Sequence, residues 1–193
     1  MKKLLLLTGD IAAGKTTFSR ILAQRYKAAV FQKDSIKEIL GDHIGFHSRE
    51  ENKRLSNAAV GVMCHILSQT APSGSDLILE ANFHESELNF LHAIAAGYRY
   101  QVLTLVLRGD TDVLHKRYLH RMTEQNRHPV HLSTTVHIKE DFDFVADQLR
   151  REPIPGEVLS VSASDFAYQT DPILLEQIDA FMNRTPSSTE ENP

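Results

Sequence analysis

The chain has no tryptophan and a single cysteine, Cys64. One thiol cannot close an internal disulfide, so no disulfide framework holds this fold. Such sparing use of cysteine fits a reducing, cytoplasmic compartment. An excess of basic residues is also lacking. Lysine and arginine number 21 against 25 aspartates and glutamates, for a formal net charge of −4. That balance argues against a broadly basic nucleic-acid surface and leaves room only for a local patch. No apolar run approaches the roughly 20 residues that a membrane-spanning helix needs. Met1-Lys2-Lys3 followed by Leu4 to Leu7 resembles the start of a signal peptide, but the apolar stretch is too short and a glycine-rich segment follows at once. What is present is 193 residues, 41% hydrophobic and 24% charged. This suits one globular domain with a full core, expected over residues 1–183. The polar stretch 184–193, with Pro186, Ser187, Ser188 and Pro193, reads as a disordered tail.

The most informative segment is Gly9-Asp10-Ile11-Ala12-Ala13-Gly14-Lys15-Thr16. It has the pattern G-x-x-x-x-G-K-[ST], the phosphate-binding P-loop. Its context agrees. Leu4 to Leu7 ahead of it read as a strand buried on both faces. Phe18, Ile21 and Leu22 behind it fall at i, i+3, i+4, the spacing of an amphipathic helix. Gly9 and Gly14 allow a tight turn and a close backbone approach to a polyphosphate. Loop N–H groups and the helix N-terminus then face the anion. Lys15 is expected to reach the β- and γ-phosphates, and the Thr16 hydroxyl to ligate Mg²⁺. The expected nucleotide contacts are Gly9, Asp10, Ala12, Ala13, Gly14, Lys15, Thr16 and Thr17.

Five strand candidates, at about 3–8, 28–32, 76–81, 101–107 and 157–161, alternate with helical stretches at about 15–26, 35–41, 50–70, 86–96, 111–126, 134–150 and 171–183. Alternation at this spacing predicts βαβ units and a parallel sheet. In the 50–70 helix, Leu55, Ala58, Ala59, Val62 and Ile66 share one face, and Cys64 reads as core. Ligands of such sheets bind beyond the carboxyl ends of the strands, so the residues just after each strand hold the chemistry.

Asp34 follows the second strand. A carboxylate there can orient an acceptor hydroxyl and take its proton as it attacks a γ-phosphate, or Asp34 or Ser35 can cap the next helix. Lys37, one turn on, can hold an anionic part of substrate or transition state, or lie in solvent. Glu80 ends the third strand, where an acid can contact Mg²⁺ through water or simply sit on the surface. Asn82, Phe83 and His84 follow and are candidates to line an acceptor pocket. Arg117 and Arg121 share a helix face at i, i+4; with Arg127 they can clamp phosphates, or form a solvated basic face paired with acids such as Asp112 and Glu124. His115, His120, His128, His131 and His137 show no paired metal-ligand spacing. Ser162, Ser164 and Asp165 lie where a nucleotide base could rest, or shape a turn.

With these pieces in place, the chain resembles the small P-loop kinases: the zeta-toxin-like, chloramphenicol-phosphotransferase-like and polynucleotide-kinase-like AAA-family ATP-binding proteins. The likeness is carried by Leu7 through Thr17, Lys33-Asp34-Ser35-Ile36-Lys37, Leu79-Glu80-Ala81-Asn82-Phe83, and Arg127-His128-Pro129-Val130-His131. It implies a three-layer α/β/α fold with a five-stranded parallel sheet, and ATP with Mg²⁺. It further implies that Asp34 is the acceptor-activating aspartate, and that Arg117, Arg121 and Arg127 belong to a mobile helical lid at about 108–137. Where polynucleotide-kinase-like members carry arginine one turn after that aspartate, this chain has Lys37, which binds phosphate as a point charge rather than by a bidentate fork.

The expected activity is transfer of the γ-phosphate of ATP to a hydroxyl of a small molecule. Two alternatives stand beside it: a kinase of a nucleotide-sugar or of a nucleic-acid 5′-hydroxyl, and a nucleotide-dependent ATPase switch that binds a protein. No N-K-x-D-like guanine motif follows the fourth strand, which disfavours a GTPase. Neither the acceptor nor the oligomeric state can be read from these residues.

Overall fold

The computed structural model describes residues 2–124, 127–131 and 136–185. The expected tail from 186 onward, and the ends of two expected helices at 125–126 and 134–135, lie outside the described residues. Five strands, β1 (Lys3–Gly9), β2 (Ala29–Gln32), β3 (Leu77–Glu80), β4 (Gln101–Arg108) and β5 (Glu157–Ser162), form one sheet in the order β2-β3-β1-β4-β5. Every pairing is parallel. The helices among the described residues are α1 (Lys15–Tyr26), α2 (Lys33–Ile44), α3 (Arg49–Thr70), α4 (Glu85–Gly97), α5 (Thr111–Glu124), α6 (Lys139–Arg151) and α7 (Pro172–Met182).

The run Leu4 to Leu7 explains the layering. All four side chains are fully buried, and strand pleating sends successive ones to opposite faces. Leu5 and Leu7 pack with Phe18 and Leu22 of α1, Leu114 and Tyr118 of α5, Phe142 of α6, and Ile178 and Phe181 of α7. Leu4 and Leu6 pack with Met63, Cys64 and Leu67 of α3 and Leu88 and Leu91 of α4. The sheet is therefore the middle of three α/β/α layers. Because all strands run the same way, the segments after β1, β2, β3 and β5 meet at one end, with the P-loop at the central strand.

Four local expectations change. α2 begins at Lys33 directly out of β2, so Asp34 lies within its first turn and caps nothing; the cap position is Gln32. Gln32 instead donates from Nε2 to the Thr16 carbonyl at 3.1 Å and to Ser19 Oγ at 2.9 Å, tying β2 to the start of α1. α6 begins at Lys139 rather than 134. The buried stripe of α3 keeps Leu55 and Ala59 but runs through Val60, Met63, Cys64 and Leu67, while Ala58 is exposed and Val62 is 37% exposed. Two neighbouring apolar stripes compete on this helix, and the one with the larger side chains meets the sheet. At the other end, Arg184, placed by sequence in the tail, donates to both carboxylate oxygens of Glu157 at 2.9 and 3.0 Å.

Candidate active site

The P-loop is shaped by contacts on its far side. Gly9 has φ 124°, and a Cβ there would stand 2.1 Å from the Leu107 carbonyl oxygen; only glycine lets β1 turn against β4 so closely. At Gly14, φ is 85° and a Cβ would meet the Tyr168 hydroxyl at 2.6 Å. That hydroxyl donates to the Ala13 carbonyl at 2.8 Å, so the β5–α7 loop supports the P-loop from beneath. Lys15 opens α1 and is buried, with Nζ donating to the carbonyls of Asp10 at 2.7 Å and Gly9 at 3.3 Å.

Asp10 does not line the cleft over the loop. Its N–H donates to the Leu107 carbonyl at 2.8 Å. Its carboxylate, 1% exposed, accepts from Gly109 N at 3.0 Å and from Arg150 Nε at 3.1 Å and Nη2 at 2.5 Å. Asp10 thus fastens the loop to β4 and α6, a charge-assisted bidentate pair. Among the sequence-predicted site residues, the cleft lining omits Gly9, Asp10, Phe83, Ser162, Ser164 and Asp165. The cleft encloses about 930 Å³, at the upper end of what small-molecule sites offer.

On its floor, the Thr16 hydroxyl donates to Glu80 Oε2 at 3.1 Å. Glu80 is buried rather than on the surface. Burial pushes its carboxyl up from the usual range, while Lys15 and the Thr16 hydrogen bond oppose the rise. Burial also holds the Lys15 amine down, against Glu80, Asp34 and Asp10. A hydroxyl and a carboxylate offer only hard oxygens, a pair that suits Mg²⁺, which takes one or two protein oxygens and keeps most of its waters.

Asp34 is exposed at the cleft wall, and its carboxylate accepts no hydrogen bond among the described residues. It acts electrostatically on Lys15, Lys37, Glu80 and Arg121. Lys37 is buried, not solvated: 8% exposed, with Nζ 2.6 Å from Asn52 Oδ1 and 3.5 Å from the Val130 carbonyl. Asn82 and His84 line the cleft, whereas Phe83 belongs to the core.

The three arginines share the cleft but not the same surroundings. Arg117 donates to the carbonyls of Ala163 at 2.7 Å and Ser164 at 2.8 Å, and its guanidinium lies 4.0 Å from the Phe166 ring centroid. It therefore braces the β5–α7 loop. Arg121 faces the acids: burial and neighbouring Arg127 lower its pKa, with Asp34 and Glu80 opposing. Arg127 lies 5.8 Å from the Tyr118 ring centroid. Asp112 pairs with Lys139 instead of an arginine. Ser164 Oγ and Asp165 Oδ1 accept backbone N–H bonds from Asp110 and Ala167 at 2.9 Å each, so they shape the turn. Phe166, which the sequence reading passed over, lines the cleft in their place.

A parallel sheet in this order, a P-loop after its central strand and a cleft lined by acids and arginines define a kinase-like P-loop fold. The chain belongs to the AAA domain family, whose model matches residues 4–145. It is similar to a candidate kinase from Chloroflexus aurantiacus j-10-fl, at 26% identity and a TM-score of 0.80, over 95% of this chain and 99% of that one. A sugar kinase from Janibacter sp. HTCC2649 shares the fold at 15% identity and a TM-score of 0.63, over 93% and 95% of the two chains. A shikimate kinase from Bacteroides thetaiotaomicron shares it at 16% identity and 0.55, over 93% and 98%. No curated protein sequence matches it. Among the described residues no helix is long and apolar enough to cross a membrane.

Proposed function

We propose that the protein is an ATP-dependent phosphotransferase that moves the γ-phosphate of ATP to a hydroxyl of a small molecule. One observation carries this reading. The Asp34 carboxylate stands unbonded in the cleft, within electrostatic reach of Lys15, Glu80 and Arg121. An acceptor hydroxyl next to Asp34 gives its proton to the carboxylate as its oxygen attacks the γ-phosphorus. The new bond joins acceptor oxygen to phosphorus; the bond to the β,γ-bridging oxygen breaks, and ADP leaves with that electron pair. Lys15 and Arg121 oppose the negative charge that spreads over the phosphoryl oxygens. Arg117 holds the loop beneath, and Arg127 adds positive charge from the lid. Thr16 and Glu80 would hold Mg²⁺, which when bound neutralises phosphate charge. Kinase relatives support the reading, as does a cleft with room for two ligands.

The test is transfer of label from γ-labelled ATP, with Mg²⁺, to sugars, sugar acids, nucleosides, aminoglycosides and 5′-hydroxyl oligonucleotides. Label should appear on a small-molecule class. Asp34→Asn should lower transfer by roughly 10²–10⁴-fold while ATP affinity stays within about threefold. Equal rates in wild type and variant would remove Asp34 from the chemistry. Nucleotide binding without transfer to any class would favour a nucleotide-dependent switch instead.

A further inference from the structure

We propose that the acceptor is a small hydroxylated molecule carrying an anionic group, a carboxylate or a phosphate ester, and that Lys37 receives that group. The inference rests on the kinase reading above and names the substrate class of the same site. Two independent observations carry it.

The first is the charge of the cleft. Seven lysines and arginines line it, against two carboxylates, Asp34 and Glu80, in a chain whose net charge is −4. Low-dielectric walls focus such a field and draw in anions. A magnesium nucleotide over the P-loop uses part of this excess, around Lys15 and Arg121. Lys37 stands on a different wall, on the α2 helix that follows β2.

The second is the state of Lys37 itself. Its ammonium is buried, yet its partners, Asn52 Oδ1 and the Val130 carbonyl, are both uncharged. Among the described residues no carboxylate lies within salt-bridge distance of it. Its helix neighbour Lys33 pairs with Glu87 at 3.4 Å. A buried ammonium with no carboxylate in contact is costly, and Asp34 offsets that cost only through its field. The Val130 carbonyl already accepts from Asn52 Nδ2 at 2.7 Å, so the lid tip is held without the ammonium. Burial keeps the Lys37 amine below the usual lysine range, opposed by Asp34. An arriving anion would relieve the same burden.

Position sets the size of the acceptor. Asp34 and Lys37 fall at i, i+3 on α2, where Cβ atoms are about 5–6 Å apart. A hydroxyl presented to Asp34 and an anionic group at Lys37 therefore belong to one compact molecule.

The test uses the full chain saturated with Mg²⁺ and a non-hydrolysable ATP analogue, at constant ionic strength. Sulfate is titrated calorimetrically as a generic anion. Matched pairs follow: gluconate against glucitol, glycerate against glycerol, glucose 6-phosphate against glucose. A saturable sulfate site is expected, lost in Lys37→Gln. In at least one pair the anionic member should bind tenfold or more tightly than its neutral partner. Lys37→Gln should abolish that preference with neutral and nucleotide affinities within about twofold, and Lys37→Arg should keep most of it. In transfer assays the variant should raise the acceptor KM far more than it lowers kcat. No saturable sulfate site, equal binding within every pair, or binding of a 5′-hydroxyl oligonucleotide alone would overturn the proposal. If Lys37→Gln does not fold, the wild-type sulfate site and pair ratios decide alone. Anion preference without any label transfer would remove the kinase reading but keep an anion site; transfer to neutral acceptors only would do the reverse.

Discussion

The two walls of the cleft each bury a lysine and compensate it differently. On the nucleotide wall, Lys15 lies among loop carbonyls and three acids, Glu80, Asp34 and Asp10, that offset its burial. On the α2 wall, Lys37 has an amide oxygen and a peptide carbonyl. Three acids oppose the burial of the first lysine and one, Asp34, opposes that of the second. Preorganised charge of the first kind suits a group that is always the same, such as a nucleotide phosphate. A less compensated cation makes binding energy depend on what the ligand brings, which is how a site can select among ligands.

The sharpest way to test this difference is to remove each ammonium in turn. Lys15→Met should lower phosphoryl transfer by about 10²–10³-fold whatever the acceptor, the usual loss for one preorganised charge at a transition state. Lys37→Met should act mainly through acceptor KM. Rate assays against both substrates separate the two, and equal effects on ATP KM would erase the distinction between the walls.

Next in size is the brace behind the nucleotide wall. Arg150→Ala leaves the Asp10 carboxylate buried with only the Gly109 N–H as a donor. The expected cost is about 2–4 kcal/mol, which for a chain of this length lowers the melting temperature by roughly 5–15 °C. Pairing Arg150→Gln with Asp10→Asn should recover much of that loss in thermal melts. A melt unchanged by Arg150→Ala would mean that the loop is held by its backbone alone.

How far the sequence showed these things depends on the range of each interaction. The P-loop was legible because its glycines, lysine and threonine act within one turn of chain. The strands were legible because burial on both faces demands an unbroken apolar run such as Leu4 to Leu7. Asp10 was misplaced because its partner Arg150 lies 140 residues on, and a residue inside a nucleotide motif invites a nucleotide role. Lys37 read as half solvent for the same reason: Asn52 and Val130, which enclose it, are 15 and 93 residues away. Helical spacing put Arg117 and Arg121 on one face, and both do line the cleft. It could not show that Arg117 lies one turn nearer the β5–α7 loop, where bare carbonyls claim its guanidinium. Asp34 was located correctly in the chain, but its capping alternative failed because β2 enters α2 without an intervening residue.

A smaller effect should come from Glu80, the acid that completes the nucleotide wall. Burial raises its folded pKa above the unfolded value, so the folded state binds this proton more tightly. The favourable contribution is full below the unfolded pKa and is lost as pH rises through the folded one. Glu80→Gln should therefore be more stable than wild type in neutral solution without nucleotide, by about 1 kcal/mol. The gap should close as pH falls toward the carboxylate range. Added Mg²⁺ and ATP analogue should stabilise wild type more than the variant. Melts across pH that show a constant gap would mean that Glu80 does not titrate with folding.

The least effect should come from the exposed contact that joins the segment around Val130 to the α2 wall. His128 Nε2 and Asp42 Oδ1 lie 2.9 Å apart, with the Asp42 side chain 64% exposed. Water screens such a pair, and exposed pairs of this kind contribute about 0–1 kcal/mol. The buried contacts of this segment are made by Val130, whose side chain packs on Gly41 and whose carbonyl takes the Asn52 amide. Asp42→Asn should then shift stability by less than about 0.5 kcal/mol and leave acceptor KM unchanged. A KM that rose with Asp42→Asn would mean that the segment around Val130 is held to α2 by surface charge, and that the second wall is assembled by electrostatics rather than by the packing around Lys37.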